Sequence, residues 1–335
     1  MASISNIPSP IFVHSGFRMS STWFWTKWRA NSAVTAYYEF FHERLARTNP
    51  EDIAAFDTRS WDSGHPDAAP YFREYLPLLS PDGGVRGFQP AMAFQQFVPS
   101  NGVFGSLPTD TLAYVNELID HAHRSATVPV LTCKRSIGRI AGLRAACGGL
   151  HLLLTRNMHH QWLSFVHQTN SGSYYFQVAI LQILANSRHD AFLRRLHEDC
   201  TQSIDCRDGL TILRFKDLDT FLRAFLGVQL YFYAAAFDLV DLVVDVSACA
   251  HSSDARARIE TKIRDLTGVH LDLSDARDGA GRSTEPQGNF ASASAGLLQA
   301  IARELGRPPG SPAMAFVRQT LNDALESAAR AGTSR

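Results

Sequence analysis

The stretch Ile11-Phe12-Val13-His14-Ser15-Gly16-Phe17-Arg18-Met19-Ser20-Ser21-Thr22-Trp23 carries three signals in succession. Ile11-Phe12-Val13 is an apolar run with the length of a buried strand. His14 to Thr22 is small and hydroxyl-rich with one cation, Arg18. Trp23-Phe24-Trp25-Thr26-Lys27-Trp28 then opens a helix that is expected to run to about Arg29. Strand, polar turn and helix start together predict an anion cradle. The first amides of a helix have no partners of their own, and the helix dipole favours negative charge at that end. Ser20, Ser21 and Thr22 add hydroxyl donors and Arg18 adds a permanent charge. The stretch reads as a phosphate-binding loop.

Outward from this loop, strands and helices alternate. Residues 1–9 read as a short tail. Ala33–Tyr38 leans towards a second strand, and Glu39–Thr48 (EFFHERLART) towards an amphipathic helix with Phe40, Phe41 and Leu45 on one side. Asn49–Arg86 is rich in Pro, Asp and Gly and is expected to be irregular with short helices. Its aromatics, Phe56, Trp61, Tyr71, Phe72 and Tyr75, suit either a substrate wall or an insertion packed on itself. Helices are expected at Thr109–Arg124, around Ile137–Ala146, from about His159, at Tyr174–Leu184, Ala191–Asp199, Lys216–Phe225 and Ser253–Leu266. Strand candidates are Val128–Cys133, Gly149–Thr155, Leu210–Arg214 and Leu242–Val246. The fold class this predicts is α/β: a P-loop-type parallel sheet of about four or five strands flanked by helices. Ser274–Ser294 is Gly-, Ser- and polar-rich, and reads as a flexible linker between an α/β domain over 1–273 and a C-terminal helical extension over 295–335.

The composition narrows the function classes. The chain has 335 residues, 45% of them hydrophobic, which is enough for a large core. Its formal net charge is zero, so no basic field points to nucleic acid or to an anionic membrane. Five scattered cysteines without a CxxC pair argue against a disulfide framework or a zinc site. The start of the chain lacks the basic and apolar regions of a signal peptide, and no uninterrupted apolar run reaches membrane-spanning length, so a cytoplasmic protein without a membrane span is expected.

Ligands of open α/β sheets bind at the carboxyl ends of the strands. Three such ends carry suitable groups: the 14–22 loop, Lys134-Arg135-Ser136, and Arg156-Asn157, with Ser164 eight residues after Arg156. An arginine at a strand end and a serine two turns into the next helix can grip one phosphate from two sides. With these residues the chain resembles the sulfotransferases that use 3′-phosphoadenosine 5′-phosphosulfate. Their 5′-phosphosulfate loop reads (K/R)SGTTW after a strand, matched here by Arg18-Met19-Ser20-Ser21-Thr22-Trp23. Their 3′-phosphate motif, often RNPxDxxxS, is matched by Arg156-Asn157-Met158-His159-His160-Gln161-Trp162-Leu163-Ser164. The resemblance covers roughly residues 10–270, and only these two motifs are specific. Lys134-Arg135-Ser136 is similar to the family's basic strand end, and Asp245 falls where the family has a late YED-like strand. The family's loop glycine is replaced by Ser20, and its motif proline and aspartate by Met158 and His160. Serine substitutes for that glycine only where the backbone angle is ordinary.

The resemblance implies a nucleotide sulfonate donor, a hydroxyl-bearing small-molecule or glycan acceptor, and no metal. It assigns donor binding to Gly16, Phe17, Arg18, Met19, Ser20, Ser21, Thr22, Trp23, Arg135, Arg156 and Ser164, and catalysis to Arg18, Glu39 and His14. The family's base is His or Glu. Glu39, after the second strand, is the leading candidate, with His14, His65 and His42 behind it. The neighbouring histidines His159 and His160 do not face one point on a helix and so argue against a metal. Two other functions stay open: a P-loop nucleotide phosphotransferase, although GxxxxGK[ST] is absent, and a catalytically inactive sulfotransferase-like binding protein.

Overall fold

The computed structural model describes residues 9–56, 70–205, 211–278 and 288–333. The chain divides into two compact units. The first comprises Met1–Pro99, Phe104–Thr155 and Leu239–Arg277; the second comprises Ser100–Val103, Arg156–Asp238 and Asp278–Arg335.

In unit 1, β1 (Ile11–His14) leads through the loop into α1 (Ser21–Arg29), and β2 (Val34–Tyr38) follows. After α2 (Pro50–Ala54) and α3 (Thr109–Arg124) come β3 (Val128–Cys133), α4 (Ile140–Cys147) and β4 (Leu150–Thr155). In unit 2 the chain forms α5 (Met158–Asn170), α6 (Tyr175–Asn186), α7 (Ala191–Cys200), β5 (Thr201–Asp205), β6 (Thr211–Phe215) and α8 (Leu218–Ala236). Unit 1 resumes with β7 (Leu242–Asp245), α9 (Val246–His251) and α10 (Ser253–Thr267), and unit 2 closes with α11 (Phe290–Ser294), α12 (Leu297–Glu304) and α13 (Pro312–Thr333).

The main sheet has the order β2-β3-β1-β4-β7, and every pairing in it is parallel. The α/β fold class is therefore as the alternation predicted. β1 lies between β3 and β4 and is buried along its whole length, which accounts for its unbroken apolar run. The register aligns His14 with Cys133 and Leu153, and Tyr38 with Thr132. The carboxyl ends of β1, β2 and β3 thus finish level, and their loops leave from one edge of the sheet. Helix α1 packs on this edge through its aromatics. The Trp25 indole donates to the Ala36 carbonyl at 2.8 Å and its ring stacks on Tyr38 at 4.7 Å. Gly149 enters β4 at φ +81°, and a Cβ there would lie 2.3 Å from the Pro10 carbonyl oxygen. The neighbouring Leu150 amide donates to that same oxygen at 2.9 Å.

Two expectations differ from the structure. Glu39–Thr48 is not a helix. Glu39 sits at φ +52° with its amide on the Thr132 carbonyl at 2.6 Å, which prolongs the β2–β3 pairing, and only Glu43–Ala46 forms a single 3₁₀ turn. The helical spacing of Phe40, Phe41 and Leu45 reflects burial in a turn: Phe40 and Phe41 pack on each other, and Tyr114 donates to the Phe40 carbonyl. The candidate strand Leu210–Arg214 does form, as β6, but it pairs antiparallel with β5 in a separate two-stranded sheet. Ile212 is exposed, a pattern suited to a half-solvated hairpin, whereas a strand inside a parallel sheet is covered on both faces.

Of the expected linker 274–294, the described ends make defined contacts. Asp275 accepts from Trp23 Nε1 and pairs with Lys27, the Asp278 carboxylate is buried, and Phe290–Ser294 is helical. Residues 279–287 lie outside the described residues. Helix α8 is long and apolar enough to cross a membrane by composition, and 83% of that window is buried inside the protein. In unit 2 it is packed by α7, α11, α12 and α13.

Candidate functional site

The loop after β1 meets the amino end of α1 without a side-chain cap. Ser20 occupies the N-cap position but its side chain makes no capping bond, and the Phe24 amide is the first to reach back, to the Ser20 carbonyl at 3.1 Å. The amides of Ser21, Thr22 and Trp23 therefore point out of the helix start. Phe17 and Met19 are buried beneath the loop, while Arg18 and Ser20 are partly exposed. The Ser15 hydroxyl is buried with no hydrogen-bond partner among the described residues. Orphaned buried donors are rare in folded chains, and one beside an uncapped helix start fits an anion.

Backbone strain concentrates here. Among the described residues five non-glycine residues have positive φ, and three of them, Arg18 (63°), Ser20 (59°) and Glu39 (52°), follow β1 or β2. A side chain in this region costs about 1–2 kcal/mol. Ser20 thus stands in the family's glycine position with a glycine-type backbone rather than an ordinary one, and the surrounding packing holds the strain.

The ends of β2 and β3 supply a charged cluster beside the loop. Thr22 Oγ1 lies 2.6 Å from the Tyr38 hydroxyl, which also accepts from Lys134 Nζ at 3.3 Å. Burial and the neighbouring Glu39 raise the Tyr38 pKa well above the phenol range, so this hydroxyl keeps its proton. Glu39 is buried. Its Oε2 accepts from Arg135 Nη1 at 2.7 Å, and its Oε1 accepts from the Lys134 amide at 3.1 Å and faces Lys134 Nζ at 3.6 Å. Arg135 is fully buried, donates through Nη2 to Glu43 at 2.6 Å, and lies over the rings of Phe94 and Phe17. Two carboxylates, those of Glu39 and Glu43, face the Arg135 guanidinium. The cations nearer solvent are Arg18 and Lys134. His42 accepts from the Arg44 amide, and burial together with Arg135 and Lys134 lowers its pKa. His65 and Trp61 lie outside the described residues.

His14 is the last residue of β1, not part of the loop, and is fully buried. Its Nδ1 lies 2.8 Å from Ser136 Oγ and its Nε2 lies 2.9 Å from His151 Nδ1, while His151 Nε2 is 3.0 Å from the Gly148 carbonyl. The Ser136 hydroxyl also donates to the Cys133 carbonyl at 2.9 Å, and His151 Nε2 donates to the Gly148 carbonyl. Burial disfavours charge on both rings. Burial lowers the pKa of His14 well below the usual range and that of His151 to about 4. In the unfolded chain both titrate near 6.5, so below that pH the unfolded state binds more protons and stability falls as pH falls. Unfolding free energy from denaturant melts is expected to drop between pH 7 and pH 5. Equal stability at the two pH values would refute neutral burial of the pair.

In unit 2, Arg156 follows β4 in the chain and precedes α5. The Asn157 side chain caps α5, accepting from the His159 and His160 amides. Arg156 is buried, and its Nε donates to Asp278 Oδ1 at 2.8 Å. The other carboxylate oxygen, Oδ2, is 2.7 Å from His160 Nδ1, and Ser327 Oγ lies 3.2 Å from both His160 Nε2 and His159 Nδ1. Ser164 is buried on α5. Asp245, read as part of a late motif strand, caps α9 through the Ala248 amide.

Sequence reasoning missed Tyr38, Glu43, His151 and Asp278 as neighbours of these groups. Tyr38 and Glu43 flank Glu39 closely enough to have been weighed with it. His151 and Asp278 are remote in sequence from their partners and carry no local signal. Of the aromatic segment, Tyr71 packs against Trp25 and Tyr38 edge-on, and Phe56 packs against Tyr71 and Phe72. Most of these rings are thus held by one another and by α1.

No family model and no curated protein matches the chain. Among solved structures it is similar to the sulfotransferase domain of the Synechococcus PCC 7002 olefin synthase, at 12% identity over 96% of each chain and a TM-score of 0.35.

Proposed function

We propose that this chain is a sulfotransferase that moves the sulfuryl group of 3′-phosphoadenosine 5′-phosphosulfate to a hydroxyl of a carbohydrate or small metabolite. The observation that carries the reading is the uncapped start of α1 at the end of β1. The hydroxyls of Ser21 and Thr22, the orphaned Ser15 hydroxyl and the cations Arg18 and Lys134 accompany it. In this reading the loop 15–23 holds the 5′-phosphosulfate, and Arg156 with Ser164 holds the 3′-phosphate. Sulfuryl transfer is an in-line displacement: the acceptor oxygen bonds to sulfur as the bond from sulfur to the 5′-phosphate oxygen breaks. Arg18, Lys134 and the α1 amides stabilise charge on the departing oxygen. Glu39 takes the acceptor's proton. Arg135 and the Lys134 amide fix the Glu39 carboxylate, and the Oε1 to Lys134 Nζ gap of 3.6 Å is the least tightly bonded side of it.

Titration of the purified chain with adenosine 3′,5′-bisphosphate, with and without Mg²⁺ and with ATP as competitor, tests the reading. Metal-independent bisphosphate binding supports it. Preferential ATP–Mg²⁺ binding would favour a phosphotransferase, and no nucleotide binding an inactive relative. Arg156→Ala is expected to weaken bisphosphate binding about tenfold to hundredfold, the worth of a charged hydrogen bond, with a smaller change in turnover at saturating donor. Unchanged affinity in this variant would remove Arg156 from the site.

A further inference from the structure

We infer that His160 is a second ligand of the anion held by Arg156, and that the Asp278 carboxylate is an internal stand-in for that anion which the ligand must displace. This rests on the reading of Arg156 as the 3′-phosphate group's partner. The geometry is that of a bound oxyanion. One buried carboxylate spans two side chains, with Oδ1 on Arg156 Nε at 2.8 Å and Oδ2 on His160 Nδ1 at 2.7 Å. A phosphate presents the same pair of acceptor oxygens to the same pair of donors. It can use this edge of the guanidinium only after Asp278 has left it.

The position of Asp278 suits a displaceable group. It lies in an irregular segment without helix or strand, so its withdrawal melts no secondary structure. The segment is anchored just upstream, by the buried side chains of Leu271 and Leu273 and by the Leu273 amide on Glu260. Asp275 is held by Lys27 and Trp23. Only Ala276 and Arg277 separate Asp275 from Asp278 in the chain. His160 is fixed independently of Asp278, by its place on α5 and by Ser327 at its Nε2.

The test compares adenosine 3′,5′-bisphosphate with adenosine 5′-monophosphate by calorimetry on the full chain. The monophosphate lacks only the group in question. Asp278→Asn is expected to raise bisphosphate affinity about tenfold, the effect of removing one charged competitor, and to leave monophosphate affinity unchanged. His160→Gln in the Asp278→Asn background is expected to reverse most of that gain. If Asp278→Asn leaves bisphosphate affinity unchanged while Arg156→Ala lowers it, the stand-in is refuted and the 3′-phosphate reading stands. If the unaltered chain binds the two nucleotides equally and Arg156→Ala changes neither, the 3′-phosphate reading fails and the inference falls with it. Hydrogen exchange on the unaltered chain provides a second measure that needs no variant. Saturating bisphosphate is expected to speed amide exchange in a peptide spanning 274–278; unchanged or slower exchange there would overturn displacement of Asp278.

Discussion

Glu39→Gln is expected to lower turnover by about 10²–10⁴-fold, the usual loss when a general base is removed, while bisphosphate affinity stays near that of the unaltered chain. The substitution keeps shape and removes charge. It also leaves the buried Arg135 guanidinium with Glu43 as its remaining carboxylate among the described residues, so a stability loss of about 2–3 kcal/mol is expected alongside. The two effects separate experimentally. Single-turnover assays with labelled sulfonate donor, run well below the melting temperature of the variant, report the chemistry, and denaturant melts report the ion pair. Full turnover in the folded variant would move the base role to a histidine, with His42 and His65 tested next. Collapse of bisphosphate binding together with turnover would instead make Glu39 a structural anchor of the sheet edge.

The second large effect is on the fold. Gly149→Ala is expected to destabilise the chain by about 2–5 kcal/mol. Alanine is strained at φ +81°, and its Cβ would meet the Pro10 carbonyl oxygen at 2.3 Å, inside any tolerable contact. That oxygen already accepts the Leu150 amide where β1 and β4 begin to pair, so relief by backbone movement breaks the register of the central strand. The Gly148→Ala variant is a control. Its φ is also positive, but nothing lies within 4 Å of its Cβ position, so it should show the conformational part alone. Similar melting of the two variants would remove the steric part of the argument.

The main sheet was legible because its strands are covered on both faces and read as short apolar runs: Ile11–Val13, Val128–Cys133 and Gly149–Thr155 each announce themselves. β5 was not legible, because TQSID carries no apolar alternation and forms only in company with β6. Glu39–Thr48 misled because a tight turn that buries two adjacent phenylalanines produces the same spacing as an amphipathic face. In the candidate site, the loop hydroxyls and the open helix start followed from local sequence. The state of the charges did not. Whether an arginine meets a ligand or a carboxylate depends on residues brought from elsewhere in the chain. Arg135 is matched by Glu39 and Glu43, and Arg156 by Asp278, none of which a linear motif contains.

The insertion of residues 156–238 between two strands that hydrogen-bond to each other sets an order of events on the ribosome. β1, β2, β3 and β4 all lie within the first 155 residues, and four-fifths of the sheet can therefore assemble as soon as that length has emerged. β4 then waits for its outer neighbour, β7, while α5 to α8 are still being made. At about 5–20 residues per second, the intervening stretch leaves the outer backbone of β4 without its native strand for several seconds. An apolar strand with a bare edge is a template for pairing with another nascent chain. The hazard ends once β7 has been made and has paired with β4.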